Sequence, residues 1–345
     1  MTPQLLPGRS AAPLLLPELP PRPLPLPRRR HRRALVIRTL LAPALVALSA
    51  CSGLQPVPET AYPSRQTVGS SPVTGRGTNP APNMPADEAW LPGWGTPVFR
   101  DEFDGGLSQW TVRDHGTHGS LSYDRAVISR RQATVADGLL SITGERLPQP
   151  AGEASDRHFV TGYLDSADTF SQEYGRWEMR AKLPLPPGRS QGIWPAFWLR
   201  PDGRATEGEI DIMEAYGTDE AAPFGLSTAD KSQASLHFDQ TGANKAMDWT
   251  PPLSGLHTEF HVWAVEWTPS GVAWFVNGQP YKTVAREDHP GYAAAFGTGA
   301  PFHMRLNLQY GSAHWGYPDP ADPDVTVDEA VFQVDYVRVW KYDGG

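Results

Sequence analysis

The sequence predicts an all-β sandwich, and three observations lead there. All 12 Trp lie at or after Trp90, so the aromatic material of a core sits in one part of the chain. From about Ala89 onward, short runs of alternating apolar and polar residues are separated by Gly, Pro, Asp and Asn, the pattern of half-buried strands. About a dozen such runs occur without a convincing amphipathic helix, which leaves two sheets burying their faces on each other.

The front of the 345-residue chain is different. Its first 100 residues hold 19 of the 36 Pro, and its first 50 carry a balance of +7 against −8 for the whole, leaving −15 for the remainder. Residues 1–27 are rich in Pro and Leu, which blocks both helix and central strand. The basic run 28–33 (RRRHRR) precedes an apolar stretch from Leu40 to Ala50, the layout of a secretory signal in 1–50. Eleven apolar residues are too few to span a bilayer, which takes about 20. Leu48-Ser49-Ala50-Cys51 resembles a bacterial lipobox, which implies cleavage before Cys51 and acylation of its thiol. Arg32-Arg33-Ala34-Leu35-Val36 resembles a twin-arginine signal more weakly. Cys51 is the single cysteine, which excludes an intramolecular disulfide framework and a Cys-based zinc finger. Residues 51–88 are rich in Pro, Ser, Thr and Gly and read as a flexible linker. The acidic balance excludes a nucleic-acid binder. The expectation is an exported protein, lipid-anchored or extracellular and monomeric, with its folded domain over 89–345.

Within that domain Gly138–Thr143 is a strand. Tyr174–Leu183 is a longer one, with Trp177, Met179, Ala181 and Leu183 on one face and Arg176, Glu178, Arg180 and Lys182 on the other. Ile193–Leu199 is a third, in which Trp194, Ala196 and Trp198 share a face and Pro195 suggests a kink or an edge. Phe260–Trp267 and Val272–Val276 form a hairpin, Asn277-Gly278 is a turn that needs positive φ, and Phe332–Trp340 closes the chain.

Residues 207–214 (EGEIDIME) put four carboxylates into eight residues. A regular strand sets Glu209, Asp211 and Met213 on one face and leaves Glu214 with Ile210 and Ile212 on the other. A β-bulge near Met213 repairs this and brings Glu214 to the side of Glu209 and Asp211. Four residues of strand span about 13 Å, and a bulge shortens this to about 10 Å. Two glutamates leaning together then reach the ~5–5.5 Å carboxyl separation of a retaining glycosidase. Crowded carboxyls cannot all ionise, so one stays anionic and can attack while another stays protonated and can donate. An acidic solvent-facing strand and a calcium site are the rival explanations, and the spacing is not that of an EF-hand. A P-loop, a dinucleotide fingerprint, an H-E-x-x-H pair and a G-x-S-x-G elbow are all missing from the sequence. His115 and His118 fall in a Gly-rich stretch that reads as a surface loop.

GEIDIME preceded by GIWPAFWL resembles glycoside hydrolase family 16, as do YGRWEMRAKLP (174–184), HVWAVEWTPSGVAWFVNGQPY (261–281) and VDYVRVWKY (334–342). The resemblance implies a concanavalin A-like jelly roll with a concave substrate cleft, and endo-acting, retaining hydrolysis of a β-linked polysaccharide. It implies Glu209 as nucleophile, Glu214 as general acid/base and Asp211 as the carboxylate that tunes the nucleophile. Trp194 and Trp198 match cleft aromatics, Glu178 and Arg180 a polar pair beneath the cleft, and His237, Asn307 and Gln309 sugar-subsite positions. Catalysis needs no cofactor, but Asp335, Glu102 and the carbonyl of Gly138 match a structural calcium position. The pairing of motifs is most like laminarinase-type enzymes, which cut β-1,3-glucan. Arg204-Ala205-Thr206-Glu207 and Gln309-Tyr310-Gly311-Ser312 depart from that pattern and leave another β-glucan or a galactan open. So do a transglycosylase and a non-catalytic carbohydrate-binding module.

Overall fold

A computed structural model of the chain describes residues 93–114, 125–151, 156–217, 230–313 and 315–344. The signal-like segment, Cys51, the linker, His115, His118 and His314 lie outside these. No helix among the described residues is long and apolar enough to cross a membrane.

In chain order the strands are β1 (Phe99–Asp101), β2 (Thr111–Val112), β3 (Ala126–Ile128), β4 (Ala133–Ala136), β5 (Leu139–Arg146) and β6 (Phe159–Thr161). Next come β7 (Tyr163–Asp165), β8 (Ser171–Gln172), β9 (Gly175–Lys182), β10 (Ile193–Pro201), β11 (Glu209–Glu214) and β12 (Gln233–His237). The last six are β13 (Lys245–Trp249), β14 (His261–Thr268), β15 (Gly271–Val276), β16 (Gln279–Ala285), β17 (Phe302–Tyr310) and β18 (Glu329–Lys341). A single turn of helix, α1 (Tyr292–Phe296), precedes β17. The described strands form two sheets that pack as an all-β sandwich. One runs β16-β15-β14-β9-β18-β5-β6-β3, with β1 on β18 and β4 on β5; the other runs β13-β12-β11-β10-β17-β7-β2, with β8 on β17. The second carries β11 and is called the cleft sheet below; the first backs it. Pairing is antiparallel except between β3 and β6.

Alternation builds the core. Trp177 and Met179 of β9, Trp263 and Trp267 of β14 and Trp274 of β15 are wholly buried, as are Phe197 and Leu199 of β10 and Leu306 and Leu308 of β17. The β14–β15 hairpin and the left-handed Asn277 (φ 49°) and Gly278 (φ 78°) fall where the sequence places them. Pro195 is not at an edge: β10 is central, paired on both sides. The Pro195 carbonyl accepts from the amide of Ala215, just past the end of β11. In an antiparallel strand a residue's N and O point to the same side, so the proline costs one bond to Ala215, and the bonding on that side resumes at Ile193, whose carbonyl accepts from the Gly217 amide.

The bulge expected in β11 is present. Opposite β10, Glu214 pairs with Ala196 and Met213 with Phe197, but Trp198 pairs with Asp211, so Ile212 is the extra residue. Against β12 the register breaks between Asp211 and Glu214. Ile212 and Met213 are consecutive and both wholly buried. The break takes the Asp211 carbonyl out of regular pairing, and Trp274 of the backing sheet supplies the donor, its indole Nε1 lying 2.8 Å from that oxygen. A second tryptophan of the backing sheet crosses in the same way, Trp263 Nε1 donating to Ser232 Oγ at 2.9 Å beside β12. Trp274→Phe keeps most of the packing and leaves the buried Asp211 carbonyl without its donor. The expected cost is about 1–3 kcal/mol, a fall in melting temperature of about 3–10 °C for a domain of this size, with a parallel fall in turnover; calorimetry and initial rates check both.

Candidate active site

The cleft face of β11 presents Glu209, Asp211 and Glu214 in a row. Gly208 before them has no room for a side chain, since a Cβ there would lie 2.7 Å from the Ala295 carbonyl and 2.8 Å from the Phe296 ring of α1. The register brings His237 of β12 opposite Glu209, Ser235 opposite Asp211 and Gln233 opposite Glu214. On the other side lie Arg200, Trp198 and Ala196 of β10.

The two glutamates have different surroundings. Glu209 is partly exposed; its Oε2 is 3.0 Å from Arg200 Nη1 and its Oε1 is 3.6 Å from His237 Nε2. Glu214 is buried, and Trp194 Nε1 donates to its Oε1 at 3.1 Å. Burial pushes the Glu214 carboxyl well above the ordinary range, and the charges of Asp211 and Glu209 push the same way. Asp211 is also raised, first by burial and then by Glu209. Its Oδ2 stands 3.0 Å from His237 Nε2. Arg200 thus lies against Glu209, while burial favours the neutral acid at Glu214. Donor atoms of Glu209, Asp211 and His237 lie within 4.8 Å of one another, a chelating distance. Glu209 already holds a guanidinium, however, and Asp211 is pushed toward its neutral form, so the trio suits proton chemistry better than a cation.

A cavity of about 360 Å³ opens over these groups, lined among others by Trp194, Tyr216, Gln233, Lys245, Gln309 and Trp315. Tyr216 stacks on Trp315 with centroids 3.9 Å apart and tilts against Trp194 at 5.0 Å; Trp249 meets Trp315 edge-on at 5.8 Å. Gln233 is buried; its Oε1 is 3.4 Å from the Tyr216 hydroxyl, and its Nε2 has no hydrogen-bond partner among the described residues. Asn307 Oδ1 accepts from Trp198 Nε1 at 2.7 Å, and Gln309 Nε2 donates to the Gly311 carbonyl at 3.1 Å.

Two expectations are corrected. Glu178 and Arg180 do not lie beneath the cleft: β9 belongs to the backing sheet, and its inward face is Trp177, Met179 and Ala181. Glu178 is instead bound by Arg176 at 2.6 Å and by the Tyr336 hydroxyl at 2.9 Å. Arg180 pairs with Asp335. The calcium position does not fit either. The Asp335 carboxylate is held by that arginine, while Glu102 Oε1 is 2.8 Å from Arg338 and 2.9 Å from Arg100. Gly138 is the left-handed turn residue (φ 69°) before β5. Guanidinium groups neutralise both acids that would hold the ion.

Arg200, Tyr216, Gln233, Trp249 and Arg305 were not singled out as site residues from the sequence, whereas Trp315 was, as a residue able to reshape a subsite. Tyr216 follows Glu214 by two, so continued alternation was a signal that placed it on the same face. Arg200 follows Trp198 by two on the same strand.

A β-sandwich whose cleft pairs an arginine-held glutamate with a buried one, walled by aromatic rings, is of the O-glycosyl hydrolase class. The chain belongs to the glycosyl hydrolases family 16, whose model matches residues 124–335. It is 32% identical over 262 residues to a β-glucanase of Rhodothermus marinus, covering 71% of this chain and 85% of that one. It is 28% identical over 271 residues to glucan endo-1,3-beta-glucosidase A1 of Niallia circulans, a longer protein of which the chain spans 37%. The laminarinase catalytic domain from Thermotoga maritima superposes with a TM-score of 0.60 at 25% identity, covering 72% of this chain and 98% of that one.

The raised carboxyl of Glu214 has a consequence for stability. Its folded pKa lies above its unfolded value, so its contribution is full below the unfolded value of about 4.3 and is lost as pH rises through the folded one. Glu214→Gln removes that loss and can still accept from Trp194. The variant is expected to melt higher than the parent at pH 7 and equally with it below about pH 4, as thermal scans across pH will read.

Proposed function

We propose that the protein is an endo-acting, retaining hydrolase of β-1,3-glucan. The asymmetry of the two glutamates carries this reading. Glu209, held by Arg200, attacks the anomeric carbon as its carboxylate. Glu214, kept protonated by burial, gives its proton to the leaving glycosidic oxygen. The bond from anomeric carbon to that oxygen breaks as the ester to Glu209 forms. Glu214, now a carboxylate, takes a proton from water, whose oxygen attacks the same carbon from the face the leaving group vacated. The ester opens, Glu209 is restored as an anion, and the configuration is retained. Asp211 and His237 hold Glu209 in line and share the charge that moves between the carboxyls. The rings of Trp194, Tyr216, Trp249 and Trp315 offer flat apolar faces to further sugars, which suits an internal cut in a polymer. The names of the Niallia and Thermotoga relatives support the β-1,3 linkage. Acylation at Cys51 would tether the domain outside the cytoplasm, and Cys51→Ser is then expected to move the protein from the membrane fraction to the medium.

The test is release of reducing ends from β-1,3-glucan by residues 52–345, with mixed-linkage glucan and galactan alongside. Glu214→Gln is expected to lose about 10²–10⁴-fold in rate by removing the acid, and Glu209→Gln at least as much. Nuclear magnetic resonance of the first product should show the β-anomer. An α-anomer at early times would overturn the double displacement, and silence on every polymer would overturn the hydrolase.

A further inference from the structure

On the cleft face of β17, one strand beyond β10, stands Arg305. It is the cross-strand partner of Trp198, and its guanidinium carbon lies 4.7 Å from the centroid of that ring. Its Nε donates to His303 Nε2 at 3.0 Å. The other ring nitrogen, Nδ1, is 2.8 Å from Asp202 Oδ1, and Ser171 Oγ donates to Asp202 Oδ2 at 2.5 Å. Burial and the charge of Arg305 hold His303 below its usual range, so the imidazole is neutral and can accept from Arg305. Trp198 is fixed in turn by Asn307. Both the position and the plane of the guanidinium are therefore set.

This cation has no carboxylate partner among the described residues. Asp165 stands opposite Arg305 on β7, but Arg113 takes both of its oxygens, one at 2.8 Å and one at 2.5 Å. Glu209 gives its Oε2 to Arg200. The Tyr163 hydroxyl, also opposite β17, is neutral, its pKa pushed up to about 12 by burial. A half-buried guanidinium with only neutral contacts bears a desolvation cost without the ion pair that usually offsets it. Its remaining N–H groups form the fork that matches a planar or tetrahedral oxyanion. Two strand spacings, roughly 10 Å, separate it from Asp211. A group carried on a sugar bound across the cleft floor covers that distance.

We propose that Arg305 forms a subsite for an acidic substituent on the glucan, a carboxylate or a sulfate ester, so that the preferred polymer is anionic. The proposal rests on the hydrolase reading above and names its substrate class more narrowly. General electrostatics works against it, because the chain carries a net charge of −8, so any preference for an anion must come from a local site.

The experiment uses Glu209→Gln, which binds without turnover, and measures its affinity for neutral, carboxymethylated and sulfated β-1,3-glucan oligosaccharides of one length. At least one acidic ligand is expected to bind about tenfold tighter than the neutral one, and the arm that does so names the oxyanion. Adding Arg305→Gln should bring that ratio close to one, and Arg305→Lys should leave it intermediate because it keeps the charge and loses the fork. Arg131→Gln, a change at an exposed residue off the cleft, should leave it as it was. Matching melting curves separate loss of the site from loss of the fold. Equal affinity for neutral and acidic ligands, or a ratio that survives Arg305→Gln, overturns the subsite. Wild-type release of reducing ends from neutral glucan with no preference overturns it alone, while failure on every β-glucan, neutral or acidic, overturns the hydrolase reading as well.

Discussion

The indole of Trp274 reaching through the sandwich to the Asp211 carbonyl is the contact on which the arrangement of the site depends. With two residues between Asp211 and Glu214, a bulge brings the three carboxylates to one face, but it takes a backbone oxygen out of its ladder inside a dry core. An oxygen left alone there would cost about 1–3 kcal/mol. The donor comes from the opposite sheet, so the two layers are joined by a directional bond where the chemistry is placed.

The second organising constraint is electrostatic. Asp211 and Glu214 are buried beside each other and beside Glu209, and among the described residues Arg200 is the arginine bonded to the group. It contacts the outermost and most accessible member. Burial pushes the carboxyls of Asp211 and Glu214 upward, so protons stay with them, while the guanidinium sits on the partly exposed Glu209.

How far this was legible depends on the range of the interaction. The bulge could be read because Glu214 breaks an alternation that Ile210 and Ile212 establish, a signal within six residues. The faces of β9 were legible for the same reason. Which sheet β9 joins was not: that is decided by its pairing with β14 and β18, the latter some 160 residues away in sequence. Glu178 and Arg180 were therefore given the right face and the wrong layer. The calcium position failed on contacts of still longer range, Arg338 to Glu102 across 236 residues and Arg180 to Asp335 across 155. Pro195 misled because the bonds beside it, from Ala215 to its own carbonyl and from Gly217 to that of Ile193, hold the neighbouring segment across the one missing donor. The Arg305 relay and the Tyr216–Trp315 stack are assembled from separate segments, so alternation gives the face of one member and not its partner.

The extra residue in β11 also sets how the strand answers a change of length. Without Ile212 the strand reads Glu209-Ile210-Asp211-Met213-Glu214, and plain alternation then puts all three carboxylates on the cleft face with no bulge. The bulge absorbs one residue, so Met213 opposite Phe197 and Glu214 opposite Ala196 keep their partners with or without it. What a three-nucleotide deletion there removes is the doubled inward pair and the break at the Asp211 carbonyl, not the side on which Glu214 stands. Two chains with the same carboxylates and one residue's difference in spacing therefore present the same face, one by a bulge and one by plain alternation.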